Sequence, residues 1–387
     1  MIYIKKEKAE RIISTRHPWI FSGAIEKISC DIDNGMLTPV CSTGGKIFGW
    51  GHYSSGSRIA VRMLTYSPEP PGDNWLEERI THAFTVRRTF PVSSNAYRLV
   101  NGEGDFIPGL VIDVYNKTTV IRPLTRALEL SMERIAAALN ALLPGNLLYV
   151  KRDEYTARTE NISLSNGYWG RTGSGTEIIT ENGIQFIVDI KQGQKTGFYL
   201  DQRENRKLLK DIAQDKTVLN FFSYTGGFSL YAAAGKAREV HSVDSSALAL
   251  ELAKQNLTLN PELDTCQFTW TKADVLEYIK KNFTADIIIL DPPPFARKQG
   301  EVAGALKGYR FLNRMALEKL APNGVLFTFS CSGNVDKTAF YKVILQAGKD
   351  SGRQIRMIKE LHAGCDHPVS LYHPEGEYLK GWIVHAE

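Results

Sequence analysis

Cysteine is scarce: five residues in 387, Cys30, Cys41, Cys266, Cys331 and Cys365. Their number is odd, their spacing is wide and no C-x-x-C occurs, which argues against a disulfide framework and a cysteine-bound zinc site. No metal is expected, and a reducing cytoplasm is the natural compartment. Long hydrophobic runs are also missing. None approaches the ~18 apolar residues of a membrane span, and the opening stretch has no apolar signal core, so no membrane partner is expected. Charge of one sign is not in great excess. The formal net charge of +5 is mildly basic, compatible with a phosphate-rich partner but weak support for one. Neither G-x-G-x-x-G nor G-K-[ST] occurs, which argues against a dinucleotide or a nucleoside triphosphate.

What is present is ample core material, 43% hydrophobic residues, in a chain long enough for two or three domains. Residues 1–70 read as a compact β-rich module. Strands are expected at 3–5, 40–41, 46–53 and 59–64 and a helix at 7–14, with turns at Asp33-Asn34-Gly35 and Gly44-Gly45. Ser67-Pro68-Glu69-Pro70-Pro71-Gly72-Asp73 reads as a linker. Residues 74–175 mix helices (75–90 and 128–142) with strands (97–101, 109–115, 119–122 and 147–152), an α+β pattern. From 178 to 387 strands and helices alternate. Strands are expected at 218–221, 239–243, 267–271, 287–290 and 325–330, and helices at 229–234, 248–257, 275–282, 309–320 and 337–347. That alternation predicts an α/β, doubly wound, mostly parallel sheet of Rossmann-like type. Ligands then bind beyond the carboxyl ends of its strands.

The motifs sit at those ends. The apolar run Val218–Phe221 leads through Phe222-Ser223-Tyr224-Thr225-Gly226-Gly227 into a helix. A glycine-bearing turn at a helix start can cradle a ligand through free N–H groups, although an ordinary tight turn reads the same way. The next strand ends in Asp244-Ser245, about 20 residues beyond the turn, where an acidic side chain can accept both ribose hydroxyls of a nucleoside. Asp274 suits the exocyclic amine of adenine, with Val275 against the ring. It is an equally good helix N-cap. Adenosine without a pyrophosphate fits this set, and S-adenosyl-L-methionine is such a ligand.

Ile287-Ile288-Ile289-Leu290 should be a central strand. It ends in Asp291-Pro292-Pro293-Pro294-Phe295, a turn stiffened by the fixed φ of proline. Asp291 can bind the edge of a heteroaromatic base, with Pro293 and Phe295 beside it and Phe295 able to stack. Cys331 ends the next strand, which is expected to lie beside that turn. Most lone cysteines are small buried hydrophobes, but a thiolate here is a potential nucleophile. Carbon 5 of a pyrimidine cannot take a methyl unaided. Thiolate addition at carbon 6 makes carbon 5 enamine-like, so that it can attack a sulfonium methyl. A base then removes its proton and the thiolate is expelled.

The chain resembles the bacterial large-subunit (23S) ribosomal RNA (cytosine-5)-methyltransferases that carry an N-terminal PUA domain. The resemblance covers nearly the whole length. It rests on His17-Pro18-Trp19-Ile20-Phe21, the stretch Gly193-Gln194-Lys195-Thr196-Gly197-Phe198-Tyr199-Leu200-Asp201-Gln202-Arg203, residues 220–228, 290–295 and 329–333, and Pro374-Glu375-Gly376-Glu377-Tyr378-Leu379-Lys380-Gly381. It implies a PUA fold for the first module, a small α+β middle domain and a class I methyltransferase domain. It also implies large-subunit ribosomal RNA as partner, cytosine as the base, Cys331 as the nucleophile, and a Gln194–Arg203 segment that closes over the methionine part of the cofactor. Gln194, Lys195, Thr196, Phe198, Asp201 and Arg203 are the cofactor candidates there, joined by Pro292. The chain departs from the family in two respects. Pro294 stands where lysine is usual, and the second cysteine that many other RNA cytosine-5 enzymes carry beside the proline turn is missing.

A base in a duplex cannot reach such a pocket, so the substrate must be single-stranded or flipped out. Arg11, Arg16 and Trp19 are candidate RNA contacts, although each reads equally as a solvated charge or a core aromatic. Two other functions remain open at this level. One is methylation of an exocyclic amine or ring nitrogen, which needs no thiolate. The other is a non-catalytic RNA-binding or ribosome-assembly factor. Exposed strands in the first two modules leave a homodimer open.

Overall fold

The computed structural model describes residues 1–296 and 298–387. The chain divides into two compact units. One comprises Met1–Ile179, Val188–Leu200 and Cys365–Gly376. The other comprises Thr180–Ile187, Asp201–Gly364 and Glu377–Glu387.

The first unit contains two sheets. One has six strands in the order Trp19–Phe21, Ile59–Thr65, Ile47–Tyr53, Leu37–Cys41, Ile2–Ile4 and Ile25–Ile28, with the helix Lys6–Thr15. Its core is small: Ile2, Ile4, Ala9, Ile20, Val40, Val61 and Met63. The other sheet has five strands, ordered Gly167–Trp169, Leu147–Val150, Thr118–Pro123, Leu110–Tyr115 and Ala96–Asn101. The helices Trp75–Thr89 and Met132–Leu142 contribute Leu76, Ile80, Ile135 and Leu139 to its core. The helix expected over 128–142 is broken into Arg126–Leu130 and Met132–Leu142. At the junction Ser131 adopts φ −97°, ψ 9°, and its hydroxyl bonds back to the Ala127 carbonyl, competing with the helix. The buried pair Arg62–Glu160 (2.9 Å) joins the six-stranded sheet to the helix Glu154–Glu160, which follows the strand Leu147–Val150.

The second unit holds a seven-stranded sheet, ordered Gln267–Lys272, Glu239–Asp244, Thr217–Phe221, Ala285–Leu290, Leu320–Ser330, Lys380–Ala386 and Ile355–Leu361. The first five run parallel and the strand Lys380–Ala386 is antiparallel to both its neighbours. Ala285–Leu290 is the fourth of the seven. Its apolar run is buried on both faces, as a central parallel strand must be. Strand order reverses beside Thr217–Phe221, the position where doubly wound sheets open a crevice. The helix Val302–Lys319 starts well before the expected residue 309. Gly304 and Gly308 lower its local propensity, while Ala305, Tyr309, Leu312 and Ala316 on one face bury it against the sheet. The helix expected over 275–282 ends at Tyr278. Among the described residues, no helix is long and apolar enough to cross a membrane.

Candidate active site

The strand Thr217–Phe221 runs into a turn of unusual backbone. Phe222, Tyr224 and Gly226 all have positive φ, at 57°, 46° and 80°. Left-handed non-glycine residues cost about 1 kcal/mol or more each and persist where the surroundings impose them. Space adds a second constraint at Gly226: a Cβ would lie 3.0 Å from the Ala253 Cβ, which would have to give way by a few tenths of an ångström. The helix Gly227–Ala234 starts here, so its first N–H groups lack helical partners. The Oγ of Ser223 and the Oγ1 of Thr225 are buried without a hydrogen-bond partner in the protein. Such atoms are costly unless a ligand or water serves them.

Asp244 ends the neighbouring strand. Its Oδ2 accepts the Tyr224 N–H and its Oδ1 the Ser246 N–H, both at 2.8 Å. Each oxygen keeps a further lone pair. Ser245 is exposed. Asp274 caps the helix Val275–Tyr278 by accepting the Glu277 N–H at 3.2 Å, and Val275 is buried.

The central strand delivers Asp291. Its Oδ2 accepts Gln202 Nε2–H at 3.0 Å. Gln202 is held by Asn205 (2.6 Å), which also donates to the His362 carbonyl. Pro292 is buried and Pro293 exposed. The Phe295 ring lies 4.8 Å from the Tyr309 ring and close to Gly308. That face of Phe295 is therefore used for packing rather than for a base.

Cys331 is half-buried just past the adjacent strand, and its Sγ lies 3.6 Å from the Pro292 carbonyl oxygen. The flanking serines point the other way. Ser330 donates to the Tyr309 hydroxyl at 3.0 Å, and Ser332 Oγ is 3.0 Å from the same hydroxyl. This clamp fixes the backbone on either side of the thiol. Opposite Ser330 in the antiparallel ladder stands Lys380. It is 5% exposed, and its Nζ donates to the Ser332 carbonyl at 2.9 Å. Burial pushes the Lys380 ammonium below its ordinary pKa. The negative charges of Cys331, Glu377 and Asp336 oppose that shift.

Arg203 is fully buried, 3.4 Å from the Glu181 carboxylate, to which Arg206 also pairs. Asp201 accepts the Tyr378 hydroxyl. Both candidates thus have structural partners inside the second unit. Gln194, Lys195, Thr196 and Phe198 belong to the first unit. The Thr196 hydroxyl is engaged by Tyr115 (2.7 Å) and Asp113 (2.6 Å), and the Phe198 backbone by the Tyr115 hydroxyl. Gln194 accepts the Tyr199 hydroxyl, and the Lys195 ammonium sits 4.6 Å from the Tyr199 ring centroid. Lys151 anchors the base of this loop by donating to the Ile190 and Gly193 carbonyls at 2.6 Å. Arg11 and Arg16 are exposed. Trp19 is half-buried, with its indole N–H held by Glu103 at 2.7 Å. Asp366 accepts the Arg98 N–H through its side chain and Arg87 through its carbonyl. Sequence reasoning did not single out Gln202, Tyr309 and Lys380 as supports: Gln202 and Lys380 lie in motifs that carry the resemblance, but all three reach the site from distant segments.

A family model described as S-adenosylmethionine-dependent methyltransferase matches residues 132–355, and one described as a PUA-like domain matches residues 2–66. The ribosomal RNA large subunit methyltransferase I of Tolumonas auensis is 39% identical, with 100% of this chain and 99% of the relative aligned. That of Aeromonas salmonicida is 38% identical with the same coverage. A solved protein described as a methyltransferase, SMU.776, in complex with S-adenosylhomocysteine, superposes with a TM-score of 0.85 at 26% identity, covering 100% of this chain and 99% of its own.

Proposed function

Because the chain belongs to the S-adenosylmethionine-dependent methyltransferases, in the family of the ribosomal RNA large subunit methyltransferases I, we propose that it methylates carbon 5 of a cytosine in large-subunit ribosomal RNA. The residues present fit the cofactor. The unpartnered hydroxyls of Ser223 and Thr225 and the spare lone pairs of Asp244 answer the polar groups of S-adenosylmethionine. Asp244 would take the ribose, Asp274 and Val275 the adenine, and the turn 222–226 the methionine part. When bound, the cofactor supplies an electrophilic methyl group.

The observation that carries the reading is the Cys331 sulfur, 3.6 Å from the Pro292 carbonyl, at the tip of the strand paired in parallel with the one that bears Asp291. The thiolate adds to carbon 6 of the base. Asp291, oriented by Gln202, hydrogen bonds at ring nitrogen 3 or the exocyclic amine and favours that addition. Carbon 5 takes the methyl group, loses its proton to a base, and the carbon 6–sulfur bond breaks to return the thiolate. Lys380 supplies the positive charge beside the sulfur that a helper thiol does not provide here. The relatives' names supply the ribosomal RNA, and the PUA-like match supports an RNA-binding module.

The test uses RNA in which fluorine replaces hydrogen at carbon 5 of cytosine, so that no proton can leave. A covalent RNA adduct mapped to Cys331 is the expected result, together with loss of methyl transfer in Cys331→Ala. Full transfer by Cys331→Ala would end the thiolate mechanism and favour methylation of an exocyclic amine or ring nitrogen.

A further inference from the structure

Two motifs have no part in that chemistry: His17-Pro18-Trp19 near one end of the chain and His373-Pro374-Glu375 near the other. Both lie in the first unit. His17 Nε2 is 3.1 Å from Glu375 Oε2, and His373 Nε2 is 4.0 Å from the same oxygen. All three ligand-type atoms lie within 4.8 Å of one another. We propose that His17, His373 and Glu375 form a binding site for a divalent transition cation of borderline softness, with Zn2+ as the natural occupant.

The chemistry of the donors fits. Two imidazole nitrogens and a carboxylate with an open position are a common zinc set. Tetrahedral bonds of ~2.0–2.1 Å place ligand atoms about 3.3 Å apart. The His17–Glu375 pair already meets that spacing, and the His373–Glu375 pair exceeds it by under about 1 Å. His373 is 5% exposed, and its Nε2 is buried without a hydrogen-bond partner. An unserved buried polar atom costs roughly 1–3 kcal/mol, and a cation would remove that cost.

The surroundings are of the kind that orient metal ligands. His17 Nδ1 accepts the Trp19 N–H at 3.1 Å and lies 3.3 Å from the Trp19 carbonyl oxygen, contacts that hold the ring in place. Trp19, fixed by Glu103, sets its ring 4.3 Å from that of His373 and walls one side. The Glu375 side chain is 56% exposed, so water can complete the coordination. Cysteine spacing gave no hint of this site because it contains no cysteine and its ligands come from opposite ends of the sequence.

The experiment titrates chelator-treated, full-length protein with ZnCl2 by calorimetry, and with CoCl2 by absorption spectroscopy. One cation per chain is expected, with a visible tetrahedral Co2+ band and no thiolate-to-metal charge transfer. Glu375→Gln, at an exposed position that folding tolerates, should weaken binding by about tenfold or more, and His373→Gln further. Absence of binding to the wild type overturns the proposal. So does binding that survives Glu375→Gln and His373→Gln unchanged, or that is lost instead with His362→Ala in the exposed Glu360–His362–Glu377 cluster. The readout is independent of methyl transfer, so it stands or falls apart from the proposed activity.

Discussion

Replacing Lys380 by Met should blunt the nucleophile without touching it. Met keeps the length and apolar stem of the side chain, but removes the positive charge and the hydrogen bond to the Ser332 carbonyl. Lys380 faces Ser330 across an antiparallel pair, and opposed Cα atoms in such pairs lie about 4.5–5.5 Å apart. The ammonium, hydrogen-bonded to the carbonyl of the residue after Cys331, is taken to act on the sulfur over a separation on the order of 6 Å. At that distance a unit charge contributes about 3 kcal/mol at an effective dielectric of ~20. Cys331 is half-buried, and solvent screening reduces this to about 1–2 kcal/mol. One pKa unit corresponds to about 1.4 kcal/mol, so thiolate formation should move up by about one unit. The assay is the pH dependence of Cys331 alkylation by iodoacetamide, without cofactor or RNA, read by peptide mass spectrometry. The exposed Cys30 and Cys365 serve as internal references. The expected result is an upward shift of the Cys331 midpoint alone, reversed in large part by Lys380→Arg. A midpoint that stays in place, or moves equally for all three thiols, would refute the electrostatic role.

Lys151→Met should free the Ile190–Gly193 backbone from its two 2.6 Å anchors. Amide hydrogens of residues 190–193 should then exchange about tenfold faster in hydrogen–deuterium exchange mass spectrometry, the effect of losing 1–2 kcal/mol, and unchanged exchange there would contradict this anchoring. His52 governs an acid limb of stability. Burial, and then the Arg62 charge, push its pKa down to about 4. The unfolded chain thus binds more protons between pH 6.5 and 4. Stability from this group is full above pH 6.5 and is lost as pH falls toward 4, by up to about 3 kcal/mol. His52→Asn should flatten that limb in urea titrations taken at several pH values, and an unchanged slope would count against it.

The strand Ala285–Leu290 was legible because four successive large apolar residues, bounded by charge and proline, suit a strand covered on both faces and little else. The turn after Phe221 was legible because strand, glycine and helix follow without interruption. Elements with weak periodicity escaped. The strand Ile355–Leu361 is an edge strand with four consecutive exposed residues, so no alternation marks it. The hairpin of Thr176–Glu181 and Ile184–Asp189 had a usable signal in Asn182-Gly183, both at positive φ, the mark of a two-residue hairpin turn. In the site, residues that end strands could be read locally. Those that hold them in place could not, because Gln202, Tyr309 and Lys380 are brought in by tertiary packing alone. Arg203 and Thr196 show the converse: polar residues in a telling motif whose side chains serve buried ion pairs and hydrogen bonds.

The backbone passes between the two units at five points, and this limits how such a gene can be altered by exchange. A single crossover placed between Thr180 and Gly376 leaves each unit assembled from segments of two parents. The short returns 188–200 and 365–376 then meet a scaffold with which they did not co-evolve. Chimaeras between relatives should therefore tolerate joints placed in pairs around a returning segment far better than one clean cut, and neither unit can be expressed whole as a simple truncation.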